Sequence, residues 1–172
     1  VGVDVAKHTI KKLNQYKIQS KNFRVNFLVD NLEDSKLPDN FCQMFVSLGV
    51  IEHYEDSFPM TKTLCRLLKH GGVGIITVPN IYSIHTITRP LTKLLGKWDL
   101  GFEKSLSPRQ LRKLSLMAGF KVIEGGVLPY GEIFGSTINS FPILGGILRR
   151  LCYYIEERQN IFGFLSYVVV TK

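Results

Sequence analysis

The sequence predicts an α/β fold built as a layered sheet. Three observations predict it. Strand-like apolar runs alternate with helix-like segments along the chain. Val73 to Val78 is apolar almost without a break, as expected of a strand covered on both faces. Ser107-Pro-Arg-Gln110 is a strong helix start: Ser107 can cap, Pro108 suits the first helical position, and Gln110 completes a capping box.

Taken in order, Val1 to Asp4 reads as the end of a short strand. Ala6 to Tyr16 reads as a helix with Ile10 and Leu13 on one face. Phe23 to Val29 alternates Phe23, Val25, Phe27 and Val29 on one side of a strand. Phe41 to Ser47 is a short strand. Asp56 to Lys69 is expected to be a helix with Leu64, Leu67 and Leu68 inward, capped by Gly71-Gly72. The Ser107 helix ends before Gly119, and Phe120 to Glu124 is the next strand. Phe141 to Arg158 has a helical pattern, and Leu165 to Thr171 is a closing strand.

A chain of 172 residues fits one domain and buries a real core. Its 45% hydrophobic and 21% charged residues suit a globular protein. The apolar runs fall short of the roughly 20 residues that a spanning helix needs. No charged-then-apolar leader follows Val1, and a cytoplasmic location is the expectation. Cys42, Cys65 and Cys152 have no metal-type spacing and are expected to be reduced, buried thiols. The net charge is +8, and six basic residues cluster at Lys7, Lys11, Lys12, Lys17, Lys21 and Arg24. A solvated helix face accounts for them. Attraction to an anionic partner is the alternative. Aromatics are not interleaved with the basic residues and no RNA-binding motif occurs, so nucleic acid is not indicated.

In open α/β sheets, ligands sit beyond the carboxyl ends of the strands. The chemistry-bearing residues fall at those places: Asp4, Asp30-Asn-Leu32, Ser47-Leu-Gly49 and Glu52-His53, then Gly71-Gly72 opening the run to Pro79-Asn80. In order and spacing these segments resemble class I S-adenosylmethionine (SAM)-dependent methyltransferases of the type 11/12 kind. The resemblance covers Val1 to Phe120 and the closing strand. It implies a Rossmann-like sheet with helices on both faces and one domain over 1–172. It also implies a variable lid at about 82–106 and a second variable segment at about 127–163. The family's first strand and glycine-rich loop would precede Val1, so the resemblance implies an N-terminally truncated domain.

The resemblance assigns SAM as cofactor. Asp4 would hold its ribose, with Val5 near the adenine. Asp30 would accept from the adenine amine, with Asn31 beside it and Leu32 on the ring. Ser47, Leu48 and Gly49 would line the sulfonium and methionine part. His53 is the candidate general base. Each residue also has a plain reading: Asp4 as a helix cap, Asp30 in an Asx turn, and His53 as a hydrogen-bonded packing residue. A metal-dependent subset of the family carries Glu-x-x-Glu-His. Here Gly49 stands at the first carboxylate position, so no metal site is expected. Two further departures are Cys42 where the family usually has Asp, and Gly101-Phe102 where many relatives have Gly-His.

The implied reaction is methyl transfer to a small-molecule or lipid-like acceptor. The stripe Phe141, Ile143, Leu144, Ile147, Leu148 and Leu151 beside Arg149 and Arg150 reads as core packing, or as a peripheral membrane contact. Two other classes compete. One is a non-catalytic interaction domain. The other is a nicotinamide-dependent oxidoreductase, whose ribose site Val-Gly-Val-Asp also suits. The Glu-His pair and the Gly-Gly strand ending in Pro-Asn argue against the latter. Oligomeric state is not encoded in any motif.

Overall fold

A computed structural model describes residues 1–20, 24–83, 86, 89–90, 93–96, 98, 101–128 and 163–172. The helix expected over 141–158, and with it Cys152, His85 and Asp99, lie outside the described residues. The chain divides into two compact units, Val1–Pro38 and Asp39–Lys172.

In the first unit, strand β1 (Gly2–Asp4) pairs in parallel with β2 (Phe27–Val29), in the register Gly2 to Phe27 and Asp4 to Val29. Helix α1 (Lys7–Gln19) connects them and buries Ile10. It runs three residues beyond the expected Tyr16, to a cap at Ser20 whose hydroxyl donates to the Tyr16 carbonyl at 2.8 Å. The strand expected from Phe23 is shorter than the sequence suggests. Phe23 lies outside the described residues, and of residues 24–29 only Phe27–Val29 joins the ladder, because β1 offers three residues to pair with. A single 3-10 turn, Leu32–Asp34, follows, with Asn31 as its cap.

The second unit contains a four-stranded sheet in the order β3-β4-β6-β5, formed by β3 (Cys42–Leu48), β4 (Leu68–Pro79), β5 (Lys121–Leu128) and β6 (Leu165–Thr171). β3 and β4 are parallel, whereas β6 runs antiparallel to both β4 and β5. Helices α2 (Phe58–Leu67) and α3 (Pro108–Met117) touch each other and pack on the sheet. Their buried residues Met60, Leu64, Leu67 and Leu111 meet a core that includes Ile76, Val78, Val168 and Val170. Burying a side chain of this size contributes about 1.5–3 kcal/mol. The α3 start follows the expected box: Ser107 Oγ accepts from Gln110 N, and Gln110 Oε1 accepts from Ser107 N at 2.8 Å.

Helix α2 ends earlier than expected. Leu68 caps it in an extended conformation and pairs with Cys42, so β4 begins at once. Gly71-Gly72 is therefore not the helix cap. It lies in an irregular opening of β4, between the pairs Cys42–Leu68 and Met44–Val73. A Cβ on Gly72 would stand 2.7 Å from the Gln43 carbonyl oxygen, so this close approach of the two strands requires glycine. Cys65 is buried and Cys42 half-buried. Both are free, and burial pushes both thiols up from their ordinary value. Among the described residues, no helix is long and apolar enough to cross a membrane.

Candidate functional site

In the first unit, Asp4 closes β1 and is half-buried. Its Oδ1 accepts from Ala6 N at 2.7 Å, which steers the chain into α1. Its Oδ2 has no hydrogen-bond partner among the described residues, and an ionised carboxylate keeps further acceptor capacity there. The capping role and an open acceptor thus coexist in one side chain. Val5 beside it is exposed. Asp30 closes β2, and both of its oxygens are engaged: Ser35 Oγ donates to Oδ2 at 2.6 Å, and Lys36 N approaches Oδ1 at 3.4 Å. Asn31 accepts from Glu33 N at 3.1 Å, and Leu32 opens the 3-10 turn, half-buried. The turn-forming reading of Asp30-Asn31 is therefore realised.

In the second unit, Ser47, Leu48 and Gly49 end β3 beside β4. Ser47 is buried and Leu48 exposed. Gly49 adopts φ +64°, a left-handed conformation that glycine alone takes without strain. Its N–H donates to the Thr77 carbonyl at 3.4 Å. A 3-10 turn, Ile51–His53, follows. Glu52 within it is only 2% exposed, and its Oε2 has no hydrogen-bond partner among the described residues. Burial pushes its carboxyl up to about 7. Ser47 Oγ and Thr77 Oγ1 are likewise buried and unpartnered. The register pairs Ser47 with Ile76 and Leu48 with Thr77, so the two hydroxyls lie on opposite faces of the sheet.

His53 is exposed, yet its ring is held: Nδ1 lies 2.8 Å from the Phe102 carbonyl oxygen. A carbonyl only accepts, so Nδ1 carries the proton, and the neutral ring presents Nε2 as acceptor. The plain and the functional readings of His53 thus use different nitrogens. The segment 102–106 forms a strap. Lys104 N donates to the Glu52 carbonyl at 3.0 Å and Lys104 Nζ to the Glu55 carbonyl at 2.9 Å. Leu106 N donates to the Pro79 carbonyl at 3.0 Å. The strap therefore ties the loop after β3 to the end of β4. On its inner side Arg89 donates to the Glu103 carbonyl at 2.6 Å and to Ser105 Oγ at 2.8 Å, and pairs with the Glu103 carboxylate. The guanidinium also stands 5.2 Å from the centre of the Trp98 ring.

Sequence reasoning placed residues 82–106, and so Arg89, Trp98 and Glu103, in a variable lid, and noted Glu52 only as part of the Glu-His pair, without a role of its own. Contacts through main-chain carbonyls, such as that of Phe102, leave no side-chain signature. The one available signal was Glu52 itself, a carboxylate between apolar Ile51 and His53 directly after a strand.

Residues 1–76 match the family model of the methyltransferase domain. The overall fold is shared with solved structures. One is a methyltransferase in complex with the Haloferax volcanii Trm112 methyltransferase activator, 18% identical with a TM-score of 0.69; the match covers 99% of this chain and 69% of that one. A SAM-dependent methyltransferase from Thermotoga maritima is 15% identical with a TM-score of 0.66, covering 100% and 72%.

The chain has the class I methyltransferase fold.

A third methyltransferase-fold structure is the [4+2]-cyclase SpnF, 15% identical with a TM-score of 0.66, covering 99% of this chain and 64% of that one. This fold therefore also carries chemistry other than methyl transfer. No curated protein matches the sequence. Within the methyltransferase fold, the present residues suit an adenosyl cofactor. Within the first unit, Asp4 keeps an open acceptor for a hydroxyl proton.

Proposed function

We propose that the chain performs SAM-dependent methyl transfer to a small-molecule acceptor. The observation that carries this reading is the match of residues 1–76 to the methyltransferase domain, on a chain whose Asp4 ends a parallel strand with one oxygen open. In this reading Asp4 and Asp30 serve the ribose and adenine, with Val5, Asn31 and Leu32 around the ring. Ser47, Leu48 and Gly49 serve the methionine part. Bound SAM supplies an activated methyl group on a sulfonium centre. The chain aligns the acceptor, and the Nε2 of His53 takes the proton that the acceptor oxygen or nitrogen gives up. Alignment supplies most of the acceleration in such a displacement, so His53 contributes a proton-transfer factor of about 10²–10⁴ where the acceptor must ionise.

A non-catalytic binding role is the second reading. It is favoured by Asp30, whose two oxygens are already taken by Ser35 and Lys36. Calorimetric titration of S-adenosylhomocysteine into the full chain separates the two readings. Saturable micromolar binding supports methyl transfer. A folded chain that takes up no S-adenosylhomocysteine refutes it and leaves the interaction domain.

A further inference from the structure

His53 can act as a base only through Nε2, and only while Nδ1 holds the proton. In water a neutral imidazole exchanges between both tautomers. Here the choice is made by one acceptor, the Phe102 carbonyl at 2.8 Å. Phe102 itself is exposed, so its side chain does not anchor that carbonyl. Whatever fixes the peptide between residues 102 and 103 fixes the tautomer.

We propose that Arg89 is a positioning residue for His53: through Glu103 and Ser105 it holds the strap whose Phe102 carbonyl keeps the imidazole protonated on Nδ1 and open on Nε2. The inference rests on the reading of His53 as the base. Arg89 and Glu103 are both buried, at 9% and 8% exposure. The guanidinium spans the strap over three residues. Nη1 takes the Glu103 carbonyl, and Nη2 takes the Glu103 carboxylate and the Ser105 hydroxyl. Ser105 Oγ lies 2.7 Å from Thr86 Oγ1, which donates to the Asn80 carbonyl at 2.9 Å. The anchor thus reaches back to the end of β4. On the opposite side, Lys104 N grips the Glu52 carbonyl, one residue from His53. Residues 102–104 are clamped between Arg89 and the turn that carries His53, which leaves the Phe102 peptide one orientation. A planar fork with fixed donors makes this clamp, and a lysine ammonium cannot reproduce it.

The test is the ¹⁵N spectrum of the histidine rings in the full chain, recorded above the pH at which they titrate, with His53→Gln to assign the signal. The wild-type His53 should show a protonated Nδ1 and an unprotonated Nε2. In Arg89→Lys the ratio of the two tautomers should move toward the free-imidazole mixture by about tenfold, the size of one net hydrogen bond. Arg89→Met alone takes the Arg89 partner away from the buried Glu103 carboxylate and is at risk of unfolding. The double variant Arg89→Met/Glu103→Leu removes the clamp without stranding a charge, and should shift the ratio at least as far. Ser105→Ala removes the contacts of its hydroxyl with Arg89 and Thr86 without touching charge, leaves the two Arg89–Glu103 contacts, and should shift it less. A wild-type ring protonated on Nε2 overturns the proposal. So does a folded double variant with an unchanged ratio. Neither result depends on cofactor binding, so failure of the S-adenosylhomocysteine titration remains a separate outcome. A merely structural role for Arg89 would lower the melting temperature of all three variants and leave the tautomer ratio alone.

Discussion

The Oε1 atom of Glu52 stands 3.2 Å from the point where a Cβ on Gly49 would project. The left-handed turn after β3 and the buried carboxyl beside His53 are thus packed against each other. Gly49 is needed twice, once for its φ of +64° and once for the room it leaves Glu52.

Gly49→Ala should therefore destabilise the second unit by about 1–2 kcal/mol from the left-handed backbone alone. A further loss arises where the new methyl group presses on Glu52. Urea unfolding of the variant against wild type measures it. An unchanged midpoint would mean that the turn relaxes into another conformation.

Glu52 makes stability depend on pH. Its carboxyl ionises near 4.5 in the unfolded chain and at about 7 in the fold. Between those values the folded chain binds a proton that the unfolded chain has released. The contribution of Glu52 is therefore complete below pH 4.5, and it is lost as pH rises toward 7. Glu52→Gln cannot ionise and should flatten that decline by about 3 kcal/mol across the window. Melting temperatures of the two proteins from pH 4 to 8 should converge at the acid end and separate toward the alkaline end, the variant gaining relative to wild type. Parallel curves would show that Glu52 does not titrate in this range.

Asp4→Ala should weaken binding of S-adenosylhomocysteine by about 1–3 kcal/mol, the cost of losing hydrogen bonds to a charged acceptor. A thermal melt of the same variant controls for the lost contact to Ala6 N. Calorimetry showing equal affinity would remove Asp4 from the ribose role.

Ser107→Ala removes one arm of the α3 capping box and should cost about 0.5–2 kcal/mol. The effect belongs to stability and not to ligand affinity. A variant that melts normally but binds S-adenosylhomocysteine more weakly would place Ser107 in the site instead.

The strands β3, β4 and β6 were legible because each is an apolar run bounded by polar or turn residues. The start of α3 was legible because Ser107, Pro108 and Gln110 act locally, and local chemistry is what sequence reading captures. The end of α2 was misplaced for the opposite reason. Leu68 leaves the helix to pair with Cys42, a decision made by a residue 26 positions earlier in the chain. β2 was read too long because its extent is set by β1 and not by its own alternation. That Asp4, Gly49 and His53 follow strands was legible from the sequence. The strap was not, since its grip on Glu52, His53 and Pro79 runs through main-chain atoms that every residue possesses. The pairing of Arg89 with Glu103 has no periodicity to betray it.

At the far end of the sheet, Leu128 and Leu165 face each other as partners in the β5–β6 ladder, and Phe164 N donates to the Leu128 carbonyl at 2.9 Å. The connection between them is cinched at its base by the sheet itself. Doubling the length of such a closed connection adds only about 0.6 kcal/mol of closure entropy. The ladder therefore tolerates changes in the length of the sequence joining its two strands at little thermodynamic cost.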